Sequence, residues 1–252
     1  MLENELVRQG NWLFRRRSYL PLVILPVAMV AFAQSDWVIH AFGDGVEDIW
    51  DFGCLLIALS GLAVRGAIVG FVPRGSSGRT TRMQRAEALN TSGMYSQMRH
   101  PLYFANFLIF LGFLLVFKSL LFGLGGALAF FLYYERIMLA EERFMEERFG
   151  DAYRHWAQRT PAILPRFSGW VWPELPFSLR TVLRREYPGL YLITVFFLVV
   201  EALEAVVVEE LPLDVWISEE PVWVMLFFLG TLTYLAIRLI RQHTTWLAVA
   251  GR

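Results

Sequence analysis

The chain has 252 residues, of which 56% are hydrophobic and 15% aromatic, and its 23 Lys and Arg balance 23 Asp and Glu to a formal net charge of zero. With only 18% charged residues and a mean hydropathy of +0.45, it is too apolar for the surface of a soluble globular enzyme. A neutral chain also lacks the clustered cationic excess that phosphate-backbone binding needs, so nucleic acid is not an expected partner. The single cysteine, Cys54, forms no internal disulfide and fits no metal-ligand spacing, so no metal site is expected.

Runs of about twenty apolar residues are long enough to cross roughly 30 Å of hydrocarbon as helix. Six such runs occur, at 18–34, 49–72, 102–117, 119–140, 187–208 and 221–240, and predict an all-α, polytopic integral membrane protein. Before the first, Arg16-Arg17 followed by an apolar run and Ala31-Phe32-Ala33 has the look of a twin-arginine export signal. Five further spans argue instead for a first membrane helix with an arginine anchor. The third and fourth runs meet at Lys118-Ser119 and predict a tight helical hairpin, each arm short for a full crossing. Gly123, Gly125 and Gly126 lie on its second arm, where close helix packing is a better reading than a phosphate loop.

The connecting segments sort by sign. Residues 1–17, 73–101, 141–186 and 241–252 hold 19 basic and 10 acidic side chains, whereas 35–48, Lys118 and 209–220 hold one basic and nine acidic. The positive-inside rule makes the first group cytoplasmic. Both termini are then expected in the cytoplasm, with the chain in a bacterial inner membrane. Arg65, Glu201 and Glu204 fall inside spans, where charge is costly and marks a functional candidate unless it reaches an interface.

Polar detail concentrates at 89–101 and 141–165, on either side of the hairpin. Arg99-His100-Pro101 opens the third span with proline at the first helical position, where its missing N–H is no loss. The first-turn amides of Leu102, Tyr103 and Phe104, with the helix dipole and Arg99, suit an anionic group; an interfacial cap is the simpler alternative. The fourth span runs on without a breaker into Glu141-Glu142-Arg143-Phe144-Met145-Glu146-Glu147. Helical spacing puts Met138, Met145, Phe149 and Ala152 on one face, and Glu141 or Glu142 falls in that seam, where a carboxylate needs a cation or sugar hydroxyls as partner. Arg143 and Glu147 are spaced for a solvated i,i+4 pair, and Gly150 for a helix stop. Tyr153, Trp156, Arg159, Pro161 and Pro165 then make a segment suited to folding back on the hairpin.

The run Leu89, Gly93, Tyr95, Arg99-His100-Pro101, Tyr103, Gly112, Glu141-Glu142, Phe149-Gly150, Tyr153, Arg159, Pro161 and Pro165 resembles the isoprenylcysteine carboxyl methyltransferase family of integral membrane methyltransferases. The resemblance covers residues 89–165. It implies S-adenosylmethionine bound near the cytoplasmic surface and a lipophilic acceptor that enters laterally from the bilayer. By position it implicates Glu87, Ala88, Leu89, Asn90, Tyr95, Arg99, His100, Pro101, Leu102, Tyr103, Glu141 and Tyr153 in cofactor contact, and Arg136, Glu141 and Arg159 at the reacting end. The family's acceptor arginine, four residues before the first cofactor glutamate, is here Ile137, with Arg136 beside it; one residue is about 100° of helix rotation. A prenylcysteine carboxylate is therefore a doubtful acceptor, and lipid phosphate, amine, carboxylate, hydroxyl or thiol groups stay open. The chain divides into two N-terminal spans and a linker (1–88), a methyltransferase-like core (89–167) and two further spans (168–252). Two other readings are a membrane reductase resembling the NADPH-dependent sterol C14 reductases, which share an Arg-His-Pro hairpin and a Tyr- and Trp-rich segment, and a non-catalytic scaffold or small transporter.

Overall fold

Apolar stretches become helices in the computed structural model, which describes residues 1–17, 23–32, 46–73 and 86–252; among these there are helices and turns and no strands. The helices are α1 (Leu2–Arg16), α2 (Leu25–Phe32), α3 (Glu47–Val69), a 3-10 turn at Gly93–Ser96, α4 (Pro101–Leu115), α5 (Leu120–Phe149), α6 (Asp151–Ala157), α7 (Leu179–Val207), α8 (Leu213–Glu219) and α9 (Pro221–His243). Glu47 and Asp48 sit in the first turn of α3, where they complement its dipole. Ser119 caps α5 by accepting from the Phe122 amide at 3.4 Å, and Ser178 caps α7 by accepting from the Thr181 amide at 3.2 Å. Gly150, with φ +53, ends α5 as expected.

Four of these helices, α3, α5, α7 and α9, are long and apolar enough to cross a membrane. The expectation of about six spans needs correction, and of the two hairpin arms expected to be short only the first is, since α5 is long enough to cross. The run at 102–117 becomes α4, an apolar helix of 15 residues, about 22 Å long at 1.5 Å per residue and short of the roughly 30 Å hydrocarbon core. Pro101 fixes its start, and Lys118, at φ +52, turns the chain directly into α5. The run at 18–34 contributes a 3-10 turn at 23–24 and the eight residues of α2, and its positions 18–22 and 33–34 lie outside the described residues.

Small residues let α3 and α4 approach closely. A Cβ on Gly61 would lie 2.6 Å from the Ala105 carbonyl oxygen, and one on Gly112 would lie 2.5 Å from that of Cys54. Ala58 and Ala105 are fully buried at the same seam. In the hairpin, Gly126 backs onto the Leu114 side chain, while Gly125 meets nothing and Gly123 only touches Leu115. The core is aromatic: Phe113 stacks on Phe196 at 3.9 Å, Phe197 lies parallel to Trp223 at 6.0 Å, and Phe32 meets Phe117 edge-on at 4.9 Å. Cys54 is buried within it.

α1 lies along the second half of α5, with Gly10 against Arg136 and Ala140 and the Tyr133 hydroxyl donating to the Leu13 carbonyl at 3.3 Å. Glu3 is 3.9 Å from Arg143, which puts the first residues of the chain at the end of the bundle that carries the start of α4. The last residue comes to the same end, where the Arg252 guanidinium donates to the Gly70 and Pro176 carbonyls. Lys118 and the hairpin turn mark the opposite end.

Candidate functional site

The start of α4 is seated by the segment that follows α6. The Arg99 amide donates to the Pro161 carbonyl at 2.8 Å, that of His100 to Ala162 at 3.1 Å, that of Arg166 to Gln97 at 3.0 Å and that of Gly93 to Val171 at 2.8 Å. The Trp156 indole donates to the Tyr95 carbonyl at 3.1 Å and locks α6 onto the same strip. The expected fold-back of 153–165 on the hairpin is thus present, and its prolines suit a segment whose carbonyls accept while their own missing N–H is no loss. One expectation fails in detail. The amides of Tyr103 and Phe104 are not free, because both donate to the His100 carbonyl, at 3.1 and 3.2 Å; the first turn tightens on itself, a common fate of orphan helix donors.

Side chains then converge. His100 is buried and its Nε2 is 2.9 Å from Glu142 Oε1, while its Nδ1 is 3.8 Å from Glu141 Oε2. The Tyr103 hydroxyl donates to Glu141 Oε1 at 2.6 Å, and its ring lies nearly parallel to the His100 ring at 5.8 Å. Arg99 pairs with Glu142, its Nε 2.9 Å from Oε1, and its Nη1 donates to the Ala157 carbonyl at 2.9 Å. Glu141 and Glu142 keep 27% and 25% of their side chains exposed, which leaves both carboxylates able to meet a ligand. Tyr153 is buried beside this group; desolvation and the charge of Glu142 push its hydroxyl above the usual phenol range. Desolvation, then the charge of Glu141, does the same to Tyr95. Both phenols therefore remain protonated donors at neutral pH.

Next to this cluster a cleft is bounded by Asn90, Gly93 and Tyr95 on one side and by Ala67, Ile68 and Phe71 of the α3 end on the other. Asn90 Oδ1 accepts from the Ser92 amide at 3.1 Å and so shapes the turn into the 3-10 segment. Leu102 and Tyr95 pack against Ile68 and Val72, Pro101 is buried, Leu89 is half-buried, and Glu87 and Ala88 are exposed at the rim. Arg99, His100, Tyr103, Glu141 and Tyr153 are thus brought together, with Asn90 and Tyr95 lining the adjoining cleft.

Two residues expected at the reacting end are elsewhere. Arg136 faces α1, where Nε donates to Gln9 Oε1 at 3.0 Å and Nη1 to the Leu132 carbonyl at 2.6 Å; Ile137, one position on, is the fully buried residue. The rotation of about 100° per residue separates them, so Arg136 does not stand in for the displaced family arginine. Arg159 is exposed, and its carbonyl accepts from Arg166 Nη1 at 2.9 Å. The Arg143–Glu147 pair forms as expected, at 3.1 Å and exposed.

Sequence reasoning missed two partnerships. Arg65 of α3 makes a two-pronged ion pair with Glu186 of α7, Nε to Oε2 at 2.7 Å and Nη2 to Oε1 at 3.2 Å, and Nη1 donates to Asn106 Oδ1 at 2.6 Å. At the opposite end, the Lys118 side chain is 1% exposed and its ammonium meets Glu204 at 2.8 Å, Asp51 at 3.1 Å and Glu47. The signal for Arg65 and Glu204 was the cost of leaving a charge in a span unpartnered; Lys118, read as a connecting residue, gave none.

The sequence profile of the phospholipid methyltransferase family matches residues 51–152, from α3 to the first residues of α6. The chain is 36% identical over 162 residues to the cobalt-zinc-cadmium resistance protein CzcN of Cupriavidus metallidurans, covering 63% of this chain and 68% of that protein. It is 30% identical, with the same coverage, to the nickel-cobalt-cadmium resistance protein NccN of Alcaligenes xylosoxydans xylosoxydans. No solved structure matches it. The matched residues hold His100, Tyr103, Glu141 and Glu142 on the short hairpin, and the chain belongs to the phospholipid methyltransferase family of membrane proteins, which is akin to the isoprenylcysteine carboxyl methyltransferases.

Proposed function

We propose that the protein is a membrane methyltransferase that uses S-adenosylmethionine to methylate a lipophilic acceptor reaching the site from the bilayer. The observation that carries this reading is the convergence of Arg99, His100, Tyr103, Glu141 and Glu142 at the start of α4, inside the family match. The residues present fit the cofactor. Arg99, whose side chain is 21% exposed, supplies a cation for its carboxylate, and Glu141, one oxygen of which is held by Tyr103, keeps acceptor capacity for a ribose diol. The ring face of Tyr95 suits a sulfonium, and two carboxylates beside His100 suit a cationic ligand better than the 2′-phosphate of NADPH. When bound, S-adenosylmethionine supplies a methyl group on a positively charged sulfur, which an acceptor lone pair displaces in line.

The chain's part in that reaction is positioning and exclusion of water, with no obligatory general base. Glu142 orients His100, Tyr103 orients Glu141, and Trp156 with the strip 161–171 packs against the start of α4 and the 3-10 turn before it. The positive-inside rule puts this end of the bundle, with both termini, in the cytoplasm, where S-adenosylmethionine is available. Resistance to divalent metals, the property in the relatives' names, is the physiological setting this reading takes for the chain.

Thermal shift of the detergent-purified protein with S-adenosylhomocysteine, S-adenosylmethionine and NADPH tests the reading. Stabilisation by the first two supports it, and stabilisation by NADPH alone sinks it in favour of the reductase. Transfer of labelled methyl into a total membrane lipid extract, followed by mass spectrometry, then identifies the acceptor class.

A further inference from the structure

A polar track leads from the cofactor cluster into the apolar bundle. Asn106 is the one amide side chain of α4, one helical turn beyond Tyr103. Its Oδ1 accepts from Arg65 Nη1 at 2.6 Å, and the Tyr134 hydroxyl lies beside it; the Tyr134 ring in turn packs on that of Tyr103 at 4.7 Å. The track ends at Arg65, a little over one turn from the end of α3. A guanidinium has five N–H groups. Three are engaged, two by Glu186 and one by Asn106, so two remain without a partner among the described residues. The Arg65 side chain is 27% exposed although its counter-ion Glu186 is only 7% exposed. The charge of Arg185 also reaches Tyr95 from the same quarter. A purely structural tie between α3 and α7 would not need this unspent, accessible donor capacity on the cation alone.

We propose that Arg65 is the recognition residue for the acceptor, its two spare N–H groups receiving an anionic oxygen group, carboxylate or phosphate, on the head of a single-chain or double-chain amphiphile. This rests on the methyltransferase reading and supplies, from α3, the cation that Ile137 cannot supply from α5. Glu186 holds the guanidinium in place and, as a neighbouring anion, limits how tightly the acceptor binds.

The test uses the full chain in nanodiscs, titrated with dodecyl phosphate, laurate and dodecanol, with and without S-adenosylhomocysteine. The expected result is at least tenfold tighter binding of one anionic amphiphile than of dodecanol; whichever anion is preferred distinguishes phosphate from carboxylate. Arg65→Gln is expected to remove that preference while changing S-adenosylhomocysteine affinity less than threefold, and Arg65→Lys to restore part of it. Glu186→Gln, which keeps the cation and removes its competitor, is expected to tighten anion binding, an effect opposite to that of a broken structural tie. No anionic preference in the wild type overturns the proposal, as does a parallel loss of dodecanol and S-adenosylhomocysteine binding in both variants. If S-adenosylhomocysteine does not bind the wild type while the Arg65-dependent preference persists, the methyltransferase reading fails and Arg65 is not an acceptor-recognition residue.

Discussion

The two ends of the bundle solve the problem of charge in an apolar protein in opposite ways. At the hairpin turn, Lys118 is closed in by Glu47, Asp51 and Glu204, and almost nothing of its side chain reaches the surface. At the other end, Glu141 and Glu142 share His100, Tyr103 and Arg99 yet keep about a quarter of their surface exposed. The first arrangement ties three elements together. The second leaves both carboxylates partly open at the surface, where a ligand can complete their bonding.

Lys118→Met is the severest test of that contrast. It strands three buried or half-buried carboxylates without their cation, which costs about 3 kcal/mol or more, and is expected to lower the thermal midpoint of the detergent-solubilised protein strongly. If the midpoint is unchanged, the knot is not a structural tie. Glu141→Gln is expected to do the reverse. It should weaken S-adenosylhomocysteine binding about tenfold to a hundredfold, on the order of 2 kcal/mol for a hydrogen bond to a charged group, and leave the midpoint within a few degrees. Tyr103→Phe removes the 2.6 Å bond to Glu141 and, among the described residues, no other hydrogen bond, so its expected cost is a few-fold in affinity, about 1 kcal/mol. Glu147→Gln breaks only the exposed pair with Arg143 and is expected to change stability by less than about 0.5 kcal/mol and ligand affinity not at all. Equal losses of affinity at Glu141, Tyr103 and Glu147 in isothermal titration would erase the distinction between site and surface.

Much of the site was legible because it is local. Arg99-His100-Pro101 announces the start of a helix, and Glu141 and Glu142 stand out as carboxylates in an apolar seam about six turns into a continuous helix. The hairpin between them is short, so their meeting follows from the turn at Lys118. The partnership of Arg65 with Glu186 was not legible, since the two are 121 positions apart and nothing local in either says which side of its helix faces the other. Arg136 misled for a related reason: sequence distance put it beside the expected position, and a 100° rotation put it on the α1 face instead.

By itself the sequence determined the class of the protein. Apolar length decides what is helix in a membrane, because every backbone group must be satisfied within the segment, and the sign of the connecting loops sets the expected orientation. It also singled out the charges that need partners. Only the tertiary structure decided which partners they have, that α4 falls short of a full crossing, and that one charged cluster closes on itself while the other stays open, because those outcomes depend on helix rotation and close approach between α3, α4, α5 and α7.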